Sequence, residues 1–136
     1  MYLLDTVILS ELRREPRDPG VVVWISAQRA PDLFVSAFTI GEIERGIAQQ
    51  RSRNPAFAES LSAWLDSLLT LYSDRILPVD TATARRWGQL SAAIGNDSVD
   101  LIIAATALEH GLTVVTRNSR HFEPTGVPIL NPFSGF

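Results

Sequence analysis

The chain of 136 residues has no cysteine and no lysine, and its only histidines are His110 and His121. Without cysteine, disulfides, thiolate zinc sites and thiol nucleophiles are excluded. Without lysine, Walker-type phosphate binding, Schiff-base chemistry and a receiver-type phosphoswitch are excluded as well, because each depends on that side chain. All twelve basic residues are arginine. Two histidines are too few for a His-rich zinc centre, so any metal is bound mainly through oxygen, which suits Mg²⁺ or Mn²⁺. No apolar run is long enough to span a membrane. The opening has no basic leader and its apolar run breaks at Asp5, which argues against a secretory signal. A cytoplasmic protein without membrane contact is expected.

What is present describes a folded unit. Hydrophobic residues make up 46% of the chain and the aromatics are scattered, so disorder is excluded and a single domain over residues 1–136 is expected. The net charge of −3 excludes a protein that coats nucleic acid by bulk electrostatics. Arginines nevertheless gather locally, at Arg13, Arg14 and Arg17, at Arg51 and Arg53, and at Arg117 and Arg120. Such groups either guide a phosphate chain through their rigid forks or are solvated helix ends.

Short apolar runs alternate with longer helical periods. Tyr2–Leu4, Leu33–Ser36, Ile76–Val79, Thr113–Val115 and Pro128–Leu130 read as strands of a mainly parallel sheet covered on both faces. Helices are expected from Thr6 to before Pro16, from Pro19-Gly20 through Ile25, and over Phe38–Gln50 with polar Arg51–Asn54 closing it. Phe57, Leu61, Trp64, Leu65, Leu68 and Tyr72 recur at helical spacing, Asp80–Ile94 forms a fifth helix, and Leu101–Leu108 is apolar almost all round, the mark of a buried helix. Strands alternating with helices define an α/β sandwich.

Fifteen acids are present, and the question is which have reason to lie inside. Asp5 ends the run Tyr2-Leu3-Leu4, at the carboxyl edge of a strand where α/β sheets bind ligands, and is equally placed to cap the first helix. Glu42 and Glu44 flank the core stripe of Ile40, Ile43 and Ile47 from opposite sides, and periodicity does not choose between them. Asp100 stands in the first turn of the most buried helix, with Asp97 as the expected cap. Asp80 reads as a plain cap before Thr81. Thr116 and Asn118, after a late strand, either hold a water or phosphate or form the turn.

Leu3-Leu4-Asp5-Thr6, the segment Ser36–Gly46, Asp100 with Ile102-Ile103-Ala104-Ala105-Thr106-Ala107, Gly111-Leu112-Thr113 and Thr116-Arg117-Asn118 occur here in that order. Together they resemble a PIN-domain ribonuclease. The closing Phe122-Glu123-Pro124-Thr125-Gly126-Val127 and Leu130-Asn131-Pro132-Phe133 are similar to the VapC-type toxin branch, especially its FitB-like members. The likeness spans essentially the whole chain and implies a PIN-like three-layer α/β/α sandwich with a short, mainly parallel central sheet.

By position, the resemblance makes Asp5, Glu42 and Asp100 the catalytic and metal-binding acids, which decides between Glu42 and Glu44. It departs from the family at the fourth acid, where Asn118 and His121 stand, and at Val7 in place of a common asparagine. What it implies is a Mg²⁺- or Mn²⁺-dependent endoribonuclease, the toxin of a type II toxin–antitoxin pair. Thr6, Thr116 and Asn118 would position water or a scissile oxygen, and Arg117 or Arg120 would meet RNA phosphate. Clustered carboxylates repel, so at least one should have a raised pKa. A cognate VapB-type antitoxin, contact with DNA only through that antitoxin, and a homodimer are implied too. The missing fourth acid keeps a second possibility open, a catalytically weak or inactive module that binds RNA or a partner. A haloacid-dehalogenase-type phosphatase is set aside, because Val7 stands where its second aspartate belongs and its lysine is absent.

Overall fold

The computed structural model describes residues 1–134. In chain order the elements are β1 (Tyr2–Leu4), α1 (Thr6–Arg13), α2 (Pro19–Ser26), β2 (Leu33–Ser36), α3 (Ala37–Arg53), α4 (Pro55–Leu71), β3 (Ile76–Leu77), α5 (Thr81–Ile94), α6 (Val99–His110), β4 (Thr113–Val115), α7 (Ser119–Phe122) and β5 (Ile129–Leu130). The five strands pair in parallel in the order β3-β2-β1-β4-β5. The chain therefore builds outward from β1 on one side and then crosses back to place β4 on the other. Between β1 and β4 the strand order reverses, and such a switch point opens a crevice at the carboxyl ends of the strands.

Alternation along the strands divides the interior into two layers. Leu3 and Val114 face Ile103, Ala104, Ala107 and Phe122, with Leu90 of α5 packed against them. Leu4, Val35 and Val115 face the other way, onto Ile8, Val21, Ile43, Ile47, Leu65 and Leu68 of α1 to α4. Because both faces are covered, successive strand residues are apolar without a polar alternate, and the α/β/α sandwich expected from the sequence is the observed fold. Each fully buried aliphatic side chain contributes roughly 1.5–3 kcal/mol. Burial of Leu101 and of Ile103 through Ala107 accounts for the all-round apolar character of α6.

Helix ends follow local chemistry. Asp18, Ser36, Asn54 and Asp80 accept from the backbone N–H of Val21, Phe38, Phe57 and Thr83. Gly95 and Gly111 end α5 and α6 in the left-handed region, at φ 88° and 66°. Asp18 also accepts from the backbone N–H and the hydroxyl of Ser134, at 3.0 and 2.9 Å, which fastens the end of the described chain over α2.

Several boundaries differ from expectation. β3 stops at Leu77, because Pro78 has no N–H to extend the ladder, and β5 starts at Ile129, one residue after Pro128. α3 runs on to Arg53, so Arg51 and Arg53 lie in its last turn and Asn54 caps α4 instead of closing a loop. α7 was not anticipated. Asp97 does not cap α6: Ser98 holds that position without a side-chain bond, and the Asn96 amide oxygen accepts from the Ser98 N–H at 3.0 Å, a local turn that competes with capping. The first arginine group is structural, since Arg13 lies over the rings of Phe57 and Trp64, Arg14 pairs with Glu11 and Arg17 with Glu15.

Candidate active site

The crevice between β1 and β4 holds the acids. Asp5 follows β1, is only 6% exposed, and does two things at once. Its Oδ1 accepts from the Thr6 N–H at 2.9 Å, capping α1, and its Oδ2 accepts from the Thr116 hydroxyl at 2.8 Å. Thr116 follows β4 directly, is fully buried, and its own oxygen accepts from the Asn118 N–H at 3.0 Å. The cap reading and the site reading of Asp5 are thus one geometry. The bond joins residues 111 positions apart.

Glu42 reaches the same edge from the second turn of α3, where its Oε1 accepts from the Thr6 hydroxyl at 2.9 Å. Glu44 is exposed, on the far side of the helix. Asp100, in the first turn of α6, meets Nδ1 of His121 at 2.9 Å through its Oδ2. Each of the three carboxylates is therefore held by one side chain from another segment: Asp5 by Thr116, Glu42 by Thr6, Asp100 by His121. Ligating carboxylates are commonly held this way, with free lone pairs left for a cation.

The pKa of Asp5 is raised, first by its burial and then by the charges of Asp100 and Glu42, against the opposing hydrogen bonds of Thr116 and Thr6. The expected raised carboxyl is there, but burial outweighs repulsion as its cause. Two neighbouring negative charges that destabilise a buried third are relieved by a hard cation, and the donors around it are all oxygen. Among the described residues, no three His, Asp or Glu side chains stand close enough to hold an ion as they are placed. The donor chemistry, carboxylate oxygens without a thiolate, fits Mg²⁺ or Mn²⁺.

This burial has a testable sign. A carboxyl whose folded pKa lies above its ordinary 3.8 favours folding below that value and loses the contribution as pH rises through the folded pKa. In the absence of divalent ions, Asp5→Asn should gain melting temperature relative to the native chain between pH 3.5 and pH 7. Parallel melting curves across that range would show Asp5 to be unstrained.

Of the other candidates, Asn118 is exposed and contributes its backbone N–H, its side chain making no cap bond to α7. Arg117 turns away from the acids, its guanidinium 4.7 Å from the centre of the Phe133 ring. Arg120 lies beside Asp100 and His121 on a cleft with Asn96, Ser98 and Pro124. The resemblance points to His121 as standing at the fourth-acid position, but not to its bond with Asp100, which spans 21 residues and depends on the four-residue α7. Phe38 and Arg45, which border Glu42, were likewise not singled out.

A parallel five-stranded sheet with acids converging at its switch point is the frame of the PIN domain, and residues 2–126 match that family. The chain belongs to it. It is 34% identical to the VapC ribonuclease Y4jK of Sinorhizobium fredii, over 98% of this chain and 98% of that protein. It is also 34% identical to Toxin FitB of Neisseria gonorrhoeae, over 98% and 99%. Among solved structures, FitAcB from Neisseria gonorrhoeae superposes with a TM-score of 0.86 at 35% identity, covering 97% of this chain and 98% of that one. FitAB bound to an IR36 DNA fragment also superposes with a TM-score of 0.86, at 32% identity and covering 100% of this chain and 98% of that one.

Proposed function

We propose that the protein is the toxin of a type II toxin–antitoxin pair and a Mg²⁺- or Mn²⁺-dependent endoribonuclease hydrolysing RNA phosphodiester bonds. The observation that carries this reading is the convergence of Asp5, Glu42 and Asp100, from three separate segments, with Asp5 buried and its pKa raised partly by the other two. A relative at 34% identity over nearly the full chain that bears the name ribonuclease supports it.

Asp5, Glu42 and Asp100 would hold the ion. Bound there, it would supply positive charge that lowers the pKa of a bound water and offsets the charge gathering on the phosphate. Both oxygens of Asp5 accept, Oδ1 from the Thr6 N–H and Oδ2 from the Thr116 hydroxyl, and Oε1 of Glu42 accepts from the Thr6 hydroxyl, which orients both carboxylates while each keeps lone pairs for an ion. His121 does the same for Asp100. Arg120, beside them, offers a planar fork to a phosphate of the bound strand. With contacts directed at backbone, the acidic centre itself does not select a sequence.

The partners follow from the same reading. A cognate antitoxin of the VapB type would cover the acidic crevice, with DNA contact only through that protein, and two toxin chains would pair as a homodimer. Action in the cytoplasm is part of the same proposal; among the described residues, no helix is long and apolar enough to cross a membrane. The decisive test is cleavage of a mixed-sequence RNA in 5′-labelled form, under ordinary assay conditions with Mg²⁺ or Mn²⁺ and with EDTA. Cleavage in either ion, lost in EDTA and restored when the ion is returned, is the expected result. RNA binding that is indifferent to both ions, with no cleavage, would replace the enzyme by a binding module.

A further inference from the structure

On the α3 side of Glu42 lies an open cleft of about 280 Å³, lined by Phe38, Gly41, Glu42, Arg45 and Val99. Phe38, Gly41, Glu42 and Arg45 fall at helical spacings of three, four and seven, so they share one face of α3. Phe38 is half-buried and leaves part of its ring to the cleft, and Arg45 is exposed. No ion pair or side-chain hydrogen bond engages Arg45 among the described residues, although Glu42 stands one turn away.

Gly41 is the second observation. Glycine inside a helix weakens it relative to alanine, and at this position it leaves the helix face bare. Nothing in the fold requires it here, since a Cβ at this position would meet no atom within 4 Å and its φ is not in the left-handed region. Gly46 and Gly88 are equally unobstructed, but neither borders this cleft. The absence of a side chain at Gly41 leaves a slot between an aromatic ring and a free guanidinium, next to an acid of the candidate centre.

We infer that this slot is a nucleobase subsite, in which an unpaired base of single-stranded RNA stacks on Phe38, over Gly41, with Arg45 taking the adjoining backbone phosphate or the open face of the base. Single-stranded RNA is recognised by such aromatic and guanidinium planes, and the combination tolerates any base because every base has a π-face. The cleft shares Glu42 with the acidic centre, so a base seated in it lies next to the phosphate presented for cleavage. The assignment rests on the ribonuclease reading and adds to it where the substrate is gripped.

The test uses the full chain in EDTA, with fluorescein-labelled 12-nucleotide oligoadenylate, oligouridylate and an abasic strand of the same length as probes. Phe38→Leu, which keeps the apolar packing, and Gly41→Leu, which fills the slot, should each weaken binding of the two base-bearing strands about 5- to 100-fold. Both should leave binding to the abasic strand unchanged. Arg45→Ala should weaken all three strands. Unchanged affinity in Phe38→Leu and Gly41→Leu, or an equal loss on the abasic strand, overturns the subsite. So does a change of oligomeric state in Gly41→Leu by light scattering without loss of RNA affinity, which would make the cleft an interface between copies. If the native chain binds the strands in EDTA and cleaves RNA in the metal assay above, while the variants match its affinity, the subsite alone fails. If the native chain binds no strand and cleaves no RNA, the ribonuclease reading fails and takes the subsite with it.

Discussion

Asp5→Asn is expected to lower metal-dependent RNA cleavage by about a thousandfold or more, and to relieve growth arrest when the chain is expressed without its antitoxin. The substitution keeps the volume of the side chain, and its amide oxygen can still accept from the Thr6 N–H or the Thr116 hydroxyl. What it removes is a charge. Charge stabilisation by a metal centre is worth several kcal/mol, and each 1.36 kcal/mol is a factor of ten in rate. The fold should survive, because the variant also sheds a buried carboxylate whose ionised form is disfavoured. Circular dichroism and a melting curve on the same preparation separate the two effects. Cleavage within tenfold of the native chain would show that Asp5 only caps α1.

Phe122→Ala is the substitution expected to cost most stability. Among the described residues Phe122 is the largest fully buried side chain, closing the layer formed by Leu3, Ile103, Ala107 and Leu112. Truncating a buried phenylalanine costs about 3–5 kcal/mol, a large part of the roughly 5–15 kcal/mol that holds a domain together. For a chain of this size that lowers the melting temperature by about 10–20 °C. The exposed neighbour Glu123 is the control, where alanine should change stability by less than about 0.5 kcal/mol. A shift under about 5 °C for Phe122→Ala would mean that α7 collapses onto the gap. The same anchor directly follows His121 in α7, so its loss should also loosen the His121–Asp100 contact.

Much of this was legible in the chain itself, for identifiable reasons. The strands read correctly because both faces of the sheet are covered and each run is apolar without interruption, as at Leu3-Leu4 and Val114-Val115. Their ends were less legible at Pro78 and Pro128, where ladder geometry decides and hydropathy does not. α7 was hidden because four residues are too few to display a helical period. Asp5 was visible from its place after a strand. Periodicity could not separate Glu42 from Glu44, since what distinguishes them is the Thr6 hydroxyl, 36 residues away in sequence. Asp97 is off by one position for a related reason: the turn in which Asn96 accepts from the Ser98 N–H starts α6 at Val99 and leaves Ser98 as its cap. Pairings of this kind, like His121 with Asp100, are properties of the folded chain alone.

The order of the strands also bears on when the site comes into being. β1 is made long before its central neighbour β4 (Thr113–Val115), which Thr116 follows immediately. Synthesis at roughly 5–20 residues per second leaves that edge of β1 unpaired for several seconds on the ribosome. Throughout that interval Asp5 lacks the Thr116 hydroxyl, and neither α6 nor His121 is in place. On the ribonuclease reading proposed above, the centre is therefore assembled only after Thr116 and His121 have been made, and a nascent chain without them lacks the side chains that hold Asp5 and Asp100.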